Sequence, residues 1–329
     1  MLRSETAQSP DRRAAALAGL ARNQAAIRTP RPPLRPEAAR SGRATLRDFG
    51  GRGTPIVFVP SLINPPFVLD LSPETSLLGW LAAAGHRVLL VDWGTPTPDE
   101  RDEDITAHVE RLLLPMLRSL GEPAVLIGYC LGGTIALGCA HAAEAKAVGL
   151  IAAPWRFSGF AAPARSEIAE LWRMAAPACE AMGMVPMEVL QSGFWRLDPA
   201  RTIAKFEALA TASDAEAERF VMLEDWANAG APLTLGAGRQ MFEGLFAADD
   251  PGAGRWSVAG AIVDPATLAC PIVDFVSTRD RIVPAATSVA LGDRRDVAAG
   301  HVGMIVGSRA RALLWEPLAD WISAVASPR

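Results

Sequence analysis

The motif Gly128-Tyr129-Cys130-Leu131-Gly132-Gly133 has the clearest chemical content in the sequence. It follows the apolar run AVLI (124–127) and precedes a helix-like segment, so it has the form of a strand-to-helix nucleophile elbow with Cys in place of the usual Ser. Such a sharp turn needs small residues on either side, and Gly128 and Gly132 meet that need, with Gly133 completing the elbow. The turn places the thiol at a helix N-terminus, where backbone amides favour a thiolate. We therefore predict that Cys130 is a nucleophile; the alternative is a small buried hydrophobe in a Gly-rich turn.

An acyl-transfer site also needs donors for the developing oxyanion. The backbone amide of Leu131, directly after the nucleophile, is the predicted first donor. The second should come from the loop after the first strong strand, which reads PSLINPP (60–66). The amide of Ile63 is the candidate, and the alternative is that Asn64 only shapes this turn.

A base and an orienting acid should follow the nucleophile in the chain order nucleophile, acid, histidine. Asp280 lies just past the apolar strand PIVDFVS (271–277), and His301 follows Gly300 twenty-one residues later. We therefore predict a Cys130-Asp280-His301 triad. The remaining cysteines suit packing roles, the remaining histidines suit exposed helix or turn positions, and the nearby aspartates suit ordinary strand and turn roles. These residues are Cys139, Cys179 and Cys270; His86, His108 and His141; and Asp274, Asp293 and Asp296.

The elements that must position these residues alternate between short apolar runs and helix-like segments. Continuous apolar strands separated by helices indicate an α/β fold, with a mostly parallel sheet covered on both faces. The alternation stops between 156 and 255, where apolar residues recur at helical spacing, and resumes at Pro271. The predicted strands are PIVFVP (55–60), RVLLVDW (87–93), AVLIGY (124–129), AVGLIAAP (147–154) and PIVDFVS (271–277).

This pattern divides the chain into a core at 49–155 and 256–329, a helical cap inserted at 156–255, and an N-terminal arm at 1–48. Residues 1–47 hold ten Arg and three acidic residues, about +7 in a chain whose net charge is −4. Ser9-Pro10 starts a predicted capped helix reaching Ile27, and the Pro-rich stretch TPRPPLRP (29–36) cannot continue it. The arm is interpreted as a solvated segment packing over the core; docking on an anionic surface or a partner is the alternative.

Composition excludes several classes of protein. Half of the 329 residues are hydrophobic and 21% are charged, so the chain is not disordered, and the small net charge gives no electrostatic case for binding nucleic acid. The four Cys form no CxxC pair, so we expect reduced thiols and no metal site. No apolar stretch approaches the ~20 residues that span a bilayer. Charged residues occupy the place where a secretory signal has its apolar stretch, so we expect a cytoplasmic protein.

Several of these motifs, in the same order, resemble those of polyhydroxyalkanoate (PHA) synthases, most closely the short-chain type whose catalytic subunit is little more than an α/β-hydrolase domain. The resemblance covers about residues 50–160 and 268–308. It rests on VPSLINPPFVLDLSPETSLLGWL (59–81), VDWGTP (91–96), GYCLGG (128–133), APWRFS (153–158), TRDRIVP (278–284) and GHVG (300–303). The cap matches only loosely, with Trp226 in LEDWANAG as its one anchor.

The resemblance implies that Cys130 accepts an acyl group from a 3-hydroxyacyl-CoA, that His301 is its base and that Asp280 is the associated acid. It implies no cofactor beyond the coenzyme A thioester substrate. As partners it implies a second synthase subunit or a homodimer, and a polymer granule surface. Cys chemistry itself favours thioesters, because an acyl-Cys keeps the reactivity of the thioester it came from. If water attacks instead of a hydroxyl, the protein is a thioesterase, esterase or depolymerase; a catalytically weak granule-binding protein is the third alternative.

Overall fold

The computed structural model describes residues 2–28, 31, 33–197 and 199–326. Its centre is an eight-stranded sheet in the spatial order β1-β2-β4-β3-β5-β6-β7-β8. The pairs from β4 through β3, β5, β6 and β7 to β8 are parallel, whereas β1–β2 and β2–β4 are antiparallel. The strands are β1 (Glu37–Ser41), β2 (Ala44–Gly50), β3 (Arg52–Val59), β4 (His86–Asp92), β5 (Val125–Tyr129), β6 (Ala147–Ile151), β7 (Ile272–Ser277) and β8 (Asp293–Val297).

Helices cover both faces of this sheet, as predicted for the α/β class. The side chains of each central strand alternate between two apolar layers: Leu126 packs into one, and Val125 and Ile127 into the other. The principal helices are α1 (Pro10–Ala25), α2 (Leu77–Ala83), α3 (Leu114–Ser119), α4 (Leu131–Ala140), α5 (Ala162–Met182), α6 (Met187–Leu197), α7 (Pro199–Leu209), α8 (Asp214–Asn228), α9 (Leu235–Arg239) and α10 (Glu316–Ala326). Shorter helical segments lie at Leu2–Glu5, Ile105–Ala107 and Gly303–Val306, and π-helical ones at His108–Leu113, Gln240–Ala247 and Arg311–Trp315.

The segment between β6 and β7 holds the helices α5 to α9, in the region expected to form a cap. Helices α5 and α6 contact each other, and α5 packs on the π-helical segment Gln240–Ala247. Trp172 stacks on Phe242 between these two elements, with ring centroids 4.8 Å apart. Asp249 joins the end of this segment to the chain after β6, because its carboxylate accepts hydrogen bonds from the amides of Phe157 and Ser158.

The structure places β1 and most of β2 within 1–48, the segment expected to be an arm, so the sheet begins at Glu37 and not at residue 49. β1 carries the polar sequence EAARS and lies at the edge of the sheet, half exposed, so no apolar run marks it. Thr29, Pro30 and Pro32 of the predicted helix-breaking stretch lie outside the described residues.

The helix predicted after Ser9 spans Pro10–Ala25, and Ser9 caps it by accepting from the Arg12 amide. It packs on α7 of the cap so closely that a Cβ added at Gly19 would overlap the carbonyl of Phe206. Arg22 donates to the carbonyls of Leu209 and Ala212 at the end of α7. The arm is therefore attached to the cap. Within the described residues, no helix combines the length and apolar character needed to cross a bilayer.

Candidate active site

The elbow connects β5 directly to α4. Cys130 has φ +56° and ψ −133°, a conformation that is strained for any residue with a side chain. Its amide donates to the Ile151 carbonyl of the neighbouring strand at 3.0 Å, and its carbonyl accepts from Gly133 at 2.9 Å. The surrounding sheet and helix therefore hold the turn in this conformation, and the thiol lies at the carboxyl edge of the parallel strands.

Three glycines make this turn sterically feasible. A Cβ added at Gly128 would overlap Gly133, one at Gly132 would overlap the Val59 carbonyl, and one at Gly133 would overlap the Ala153 side chain. Each overlap involves backbone or a rigid methyl group, so no side-chain rotation could relieve it. The elbow glycines lie where the sequence motif predicted close backbone approach.

Asp280 and His301 come together beside Cys130. Asp280 lies in the turn after β7, and its Oδ2 lies 2.6 Å from Nδ1 of His301. Its Oδ1 accepts from the amides of Ile282 and Val283 at 2.7 and 3.0 Å. At the end of β7, Ser277 donates through its hydroxyl to the Ala299 carbonyl at 2.5 Å, which ties down the loop that carries the histidine. Both side chains are thus positioned by the edge of the sheet.

The Cys130 side chain also lies beside the His301 ring. Burial alone would lower the pKa of His301, but the charge of Cys130, hydrogen bonds with Asp280 and Cys130, and the charge of Asp280 raise this pKa to about 10. With Nδ1 directed at Asp280, Nε2 is the ring nitrogen left for the thiol. This arrangement favours the protonated imidazole, with Nε2 placed to exchange a proton with the Cys130 sulfur.

Tyr129 supports the same imidazole, a role the sequence did not reveal. Its ring stacks on His301 with centroids 5.1 Å apart, and its hydroxyl donates to the His301 carbonyl at 3.3 Å. Burial, together with the charges of Cys130 and Asp280, raises the pKa of Tyr129 well above its ordinary value. The phenol therefore stays neutral and acts as a donor.

The two predicted oxyanion donors differ in availability. Leu131 is the first residue of α4, so its amide lies in the first helical turn, where amides have no acceptor within the helix. The amide of Ile63 instead donates to Oγ of Ser61 at 3.1 Å. A local serine turn thus already engages this donor, and the role of Ile63 as second oxyanion donor stays a prediction. Asn64 donates to the Ala227 carbonyl at 3.4 Å, so it joins this loop to the cap.

The other cysteines and histidines lie away from this cluster. Burial raises the pKa of the thiols of Cys139, Cys179 and Cys270. His108, expected on an exposed helix position, is buried instead. Arg43 donates to Nε2 of His108 at 2.6 Å, and Nδ1 of His108 donates to the Asp104 carbonyl at 2.6 Å. Burial lowers the pKa of the His108 ring.

Two cavities meet at Cys130, and Ile63 and Ile282 line both of them. The first, the apolar cavity, has a volume of about 270 Å³ and lies beneath the cap. Arg281 is the one charged residue among its described lining residues. Its wall is mostly aromatic and aliphatic and includes Phe157, Phe160, Ile168, Leu171, Phe242 and Phe246. Such a lining suits a hydrocarbon chain attached to Cys130.

The second, the polar cavity, has a volume of about 200 Å³ and includes His301 in its wall. The cap contributes Gln191, Lys205, Glu224 and Asn228 to it. Both cavities are smaller than the ~300 Å³ at which pockets for whole small-molecule ligands begin. Each therefore suits one part of a larger substrate, with Cys130 between the parts.

Comparison with known families identifies the framework. Residues 56–314 match the model described as Alpha/beta hydrolase family. The chain belongs to the alpha/beta hydrolase family. Among solved structures, this hydrolase-family chain is similar to the N-acyl homoserine lactonase AidH complexed with N-butanoyl homoserine, with a TM-score of 0.53, 18% identity, and coverage of 88% of this chain and 96% of that one. A monoacylglycerol lipase of Paleococcus ferrophilus gives a TM-score of 0.52 at 13% identity, covering 86% and 99%. These likenesses show the fold.

Curated relatives of this hydrolase-family chain carry a narrower name. The poly(3-hydroxyalkanoate) polymerase subunit PhaC of Haloferax mediterranei is 28% identical over 287 residues, which cover 82% of this chain and 58% of that protein. The protein of the same name from Synechocystis is 26% identical over 296 residues, covering 82% and 77%. This chain spans about 60% of the length of the first of these relatives. The resemblance to PHA synthases predicted from the motifs is confirmed by these similarities.

Proposed function

We propose that this protein transfers 3-hydroxyacyl groups from 3-hydroxyacyl-CoA through an acyl-Cys130 intermediate, as a PHA synthase-like acyltransferase. The observation that carries the proposal is the placement of Cys130 in contact with His301 at the junction of an apolar and a polar cavity. Similarity to curated PhaC subunits supports the substrate class. No cofactor is needed beyond the coenzyme A thioester.

In the first step, the acyl group moves from coenzyme A to the enzyme. His301 holds the proton of the Cys130 thiol, and the thiolate attacks the thioester carbonyl while the Leu131 amide faces the developing oxyanion. The imidazolium then protonates the departing coenzyme A thiol. One thioester replaces another of similar energy, so the acyl-Cys stays reactive toward a hydroxyl.

Asp280 orients His301 in this scheme. The alternative is that Asp280 helps to activate the attacking alcohol. Its side chain has 0% exposure, one oxygen binds His301, and the other accepts two backbone amides. A carboxylate engaged in this way has no face toward the polar cavity, so the orienting role is the better account.

A hydrolase is the second candidate function. The polar cavity lies beside His301, and its polar wall suits water as well as an alcohol. Water attacking acyl-Cys130 would release a hydroxy acid by the same acid–base steps, which would make the protein a thioesterase, esterase or depolymerase. A second subunit or a homodimer, and association with polymer granules in the cytoplasm, are further parts of the proposal that the PhaC similarity motivates.

The test is to incubate the protein with 3-hydroxybutyryl-CoA and to follow free thiol, soluble acid and polymer together. Thiol release with polymer or oligomer is the expected result, and release with soluble acid alone would favour the hydrolase. The variant C130A should lose thiol release, whereas C270S, which removes another partly exposed thiol, should keep it. Full turnover by C130A would refute the acyl-Cys130 intermediate.

A further inference from the structure

An ion pair from the cap lies in the wall of the polar cavity. Lys205 Nζ on α7 lies 2.6 Å from Oε1 of Glu224 on α8, and the two side chains are 32% and 12% exposed. Lys205 is one of only two lysines in a chain with thirty arginines. A partly buried ion pair adds little stability, because removing both charges from water offsets most of their attraction. Stability alone therefore gives a weak reason for this pair.

Lys205 and His301 line the same cavity, so a bound acceptor lies between walls that carry both side chains. In a 3-hydroxyacyl thioester only one carbon separates the carbon that carries the hydroxyl from the carbonyl carbon, so both polar groups can lie in one cavity of about 200 Å³. If the hydroxyl faces His301, the carbonyl oxygen faces further into the cavity. The ammonium of Lys205 is the cationic donor in that part of the wall, and charge-assisted hydrogen bonds are strong where water is limited.

Resting on the proposed function, we infer that Lys205 binds the carbonyl oxygen of the acceptor and that Glu224 holds Lys205 in position for this contact. The pair is then a specificity determinant. It selects hydroxyl acceptors that also carry a neighbouring carbonyl, in preference to water or a simple alcohol.

Groups already in the site account for every bond and proton that changes in the transfer step. The acceptor hydroxyl oxygen forms a bond to the acyl carbon of acyl-Cys130, and its proton moves to Nε2 of neutral His301. The bond from the acyl carbon to Sγ breaks, and sulfur leaves as the thiolate beside the new imidazolium. Lys205 keeps its proton throughout, so its contribution is binding and orientation.

The experiment separates acylation from transfer. Enzyme in excess over 3-hydroxybutyryl-CoA is first acylated, with coenzyme A release as the readout. The acyl enzyme then receives either methyl 3-hydroxybutyrate, which has a hydroxyl and a carbonyl, or 1-butanol, which has the hydroxyl alone. The ratio of ester product to free acid is measured by mass spectrometry.

The variant K205M, once acylated as verified by coenzyme A release, should give an ester-to-acid ratio about tenfold lower with methyl 3-hydroxybutyrate, as loss of one hydrogen bond from a charged donor predicts. The ratio with 1-butanol should stay unchanged. K205R, which keeps a cationic donor, should recover part of the loss. The double variant K205M/E224Q removes both charges together, so it leaves no unpaired carboxylate that could unfold the cap. It should behave like K205M.

Lys146 provides the matched control, since its Nζ binds Thr54 and the Ala326 carbonyl on another part of the molecule. K146M should match wild type with both acceptors. Any of three results would overturn the inference. These are an equal loss with both acceptors, an effect of K146M as large as that of K205M, and wild-type acylation without transfer to methyl 3-hydroxybutyrate. Failure of wild-type acylation would instead refute the proposed function.

Discussion

Asp280 contacts His301 through Oδ2 at 2.6 Å while its Oδ1 accepts two backbone amides. The carboxylate is thereby fixed before any substrate binds, and it fixes the ring in turn, with Nδ1 as the donor to Asp280. Cys130 on the other side of the ring then meets Nε2. The same three groups determine how the site responds to pH.

We expect the contribution of His301 to stability to fall at high pH. Burial would lower its pKa, but Cys130 and Asp280 raise it from 6.5 to about 10. Because the folded-state pKa lies above the unfolded value, the stabilisation is full below pH 6.5 and is lost as the pH rises through about 10. The difference in free energy of unfolding between wild type and H301Q, measured with urea, should shrink over this range. A difference independent of pH would contradict the ion pair.

A second prediction concerns acyl length. Ala164 lines the apolar cavity, and the variant A164L should fill part of it. Each methylene of a longer acyl chain that no longer fits the cavity loses about 0.8 kcal/mol of burial free energy, which lowers the acylation rate constant about fourfold. The ratio of acylation rates for 3-hydroxyhexanoyl-CoA and 3-hydroxybutyryl-CoA, followed by coenzyme A release, should fall accordingly. The exposed residue Ala169 lies on the same helix, so A169L should leave the ratio unchanged; equal effects of both variants would place the acyl chain elsewhere.

Asp274 in β7 provides a prediction about stability alone. Both of its carboxyl oxygens are buried, and neither accepts a hydrogen bond of normal geometry among the described residues, although the Val289 amide lies near enough to act on the charge. Burial raises its pKa from 3.8 to about 7, against smaller opposing effects of the Val289 amide and Arg294. Since the folded-state pKa lies above the unfolded one, stability should decrease as the pH rises from 3.8 to about 7 and then level off.

The variant D274N should therefore be more stable than wild type at about pH 8, and this advantage should disappear toward about pH 4. Thermal unfolding across this range measures the effect. Asp293 on the neighbouring strand is half exposed and paired with Arg295, so D293N should show little pH-dependent difference. A D274N curve parallel to that of wild type would show that the carboxyl group is not protonated as described.

A fourth prediction concerns the attachment of the N-terminal helix. Arg22 donates to the Leu209 and Ala212 carbonyls at 3.0 and 2.6 Å and pairs with Asp214. R22A should lower the free energy of unfolding by about 1 to 3 kcal/mol, and it should loosen the helices that carry Lys205 and Glu224. Hydrogen exchange of α7 and α8 would detect this loosening.

Arg173 gives the control for that prediction, because it forms an exposed pair with Glu170 on α5. R173A should change stability by less than about 0.5 kcal/mol. Equal effects of the two variants, or unchanged exchange in α7 and α8, would argue against a role of the N-terminal helix in holding the cap.

The sequence predicted the elements with strong local signals. The elbow at Cys130 and the buried central strands depend on contiguous patterns, and Asp280 and His301 follow from chain order at the edge of a parallel sheet. The resemblance to PHA synthases added the substrate class that we propose.

The remainder depends on contacts between distant residues. The edge strand β1 has no apolar run, and the amide of Ile63 is diverted by a serine two residues away. Lys205 and Glu224 look like ordinary charges on solvated helices until α7 and α8 fold over the cavity. The acidic partners of some of the arm's arginines, such as Asp214 for Arg22, lie far along the chain.

That separation affects biosynthesis. Arg22 and Asp214 are 192 residues apart, so at roughly 5 to 20 residues per second the first helix waits roughly 10 to 40 s on the ribosome before its docking surface exists. The contact between this helix and the cap therefore forms late, by closing one of the longest loops in the chain. Premature termination or slow synthesis of the cap would leave this basic helix without its partner, open to capture by chaperones or by other nascent chains.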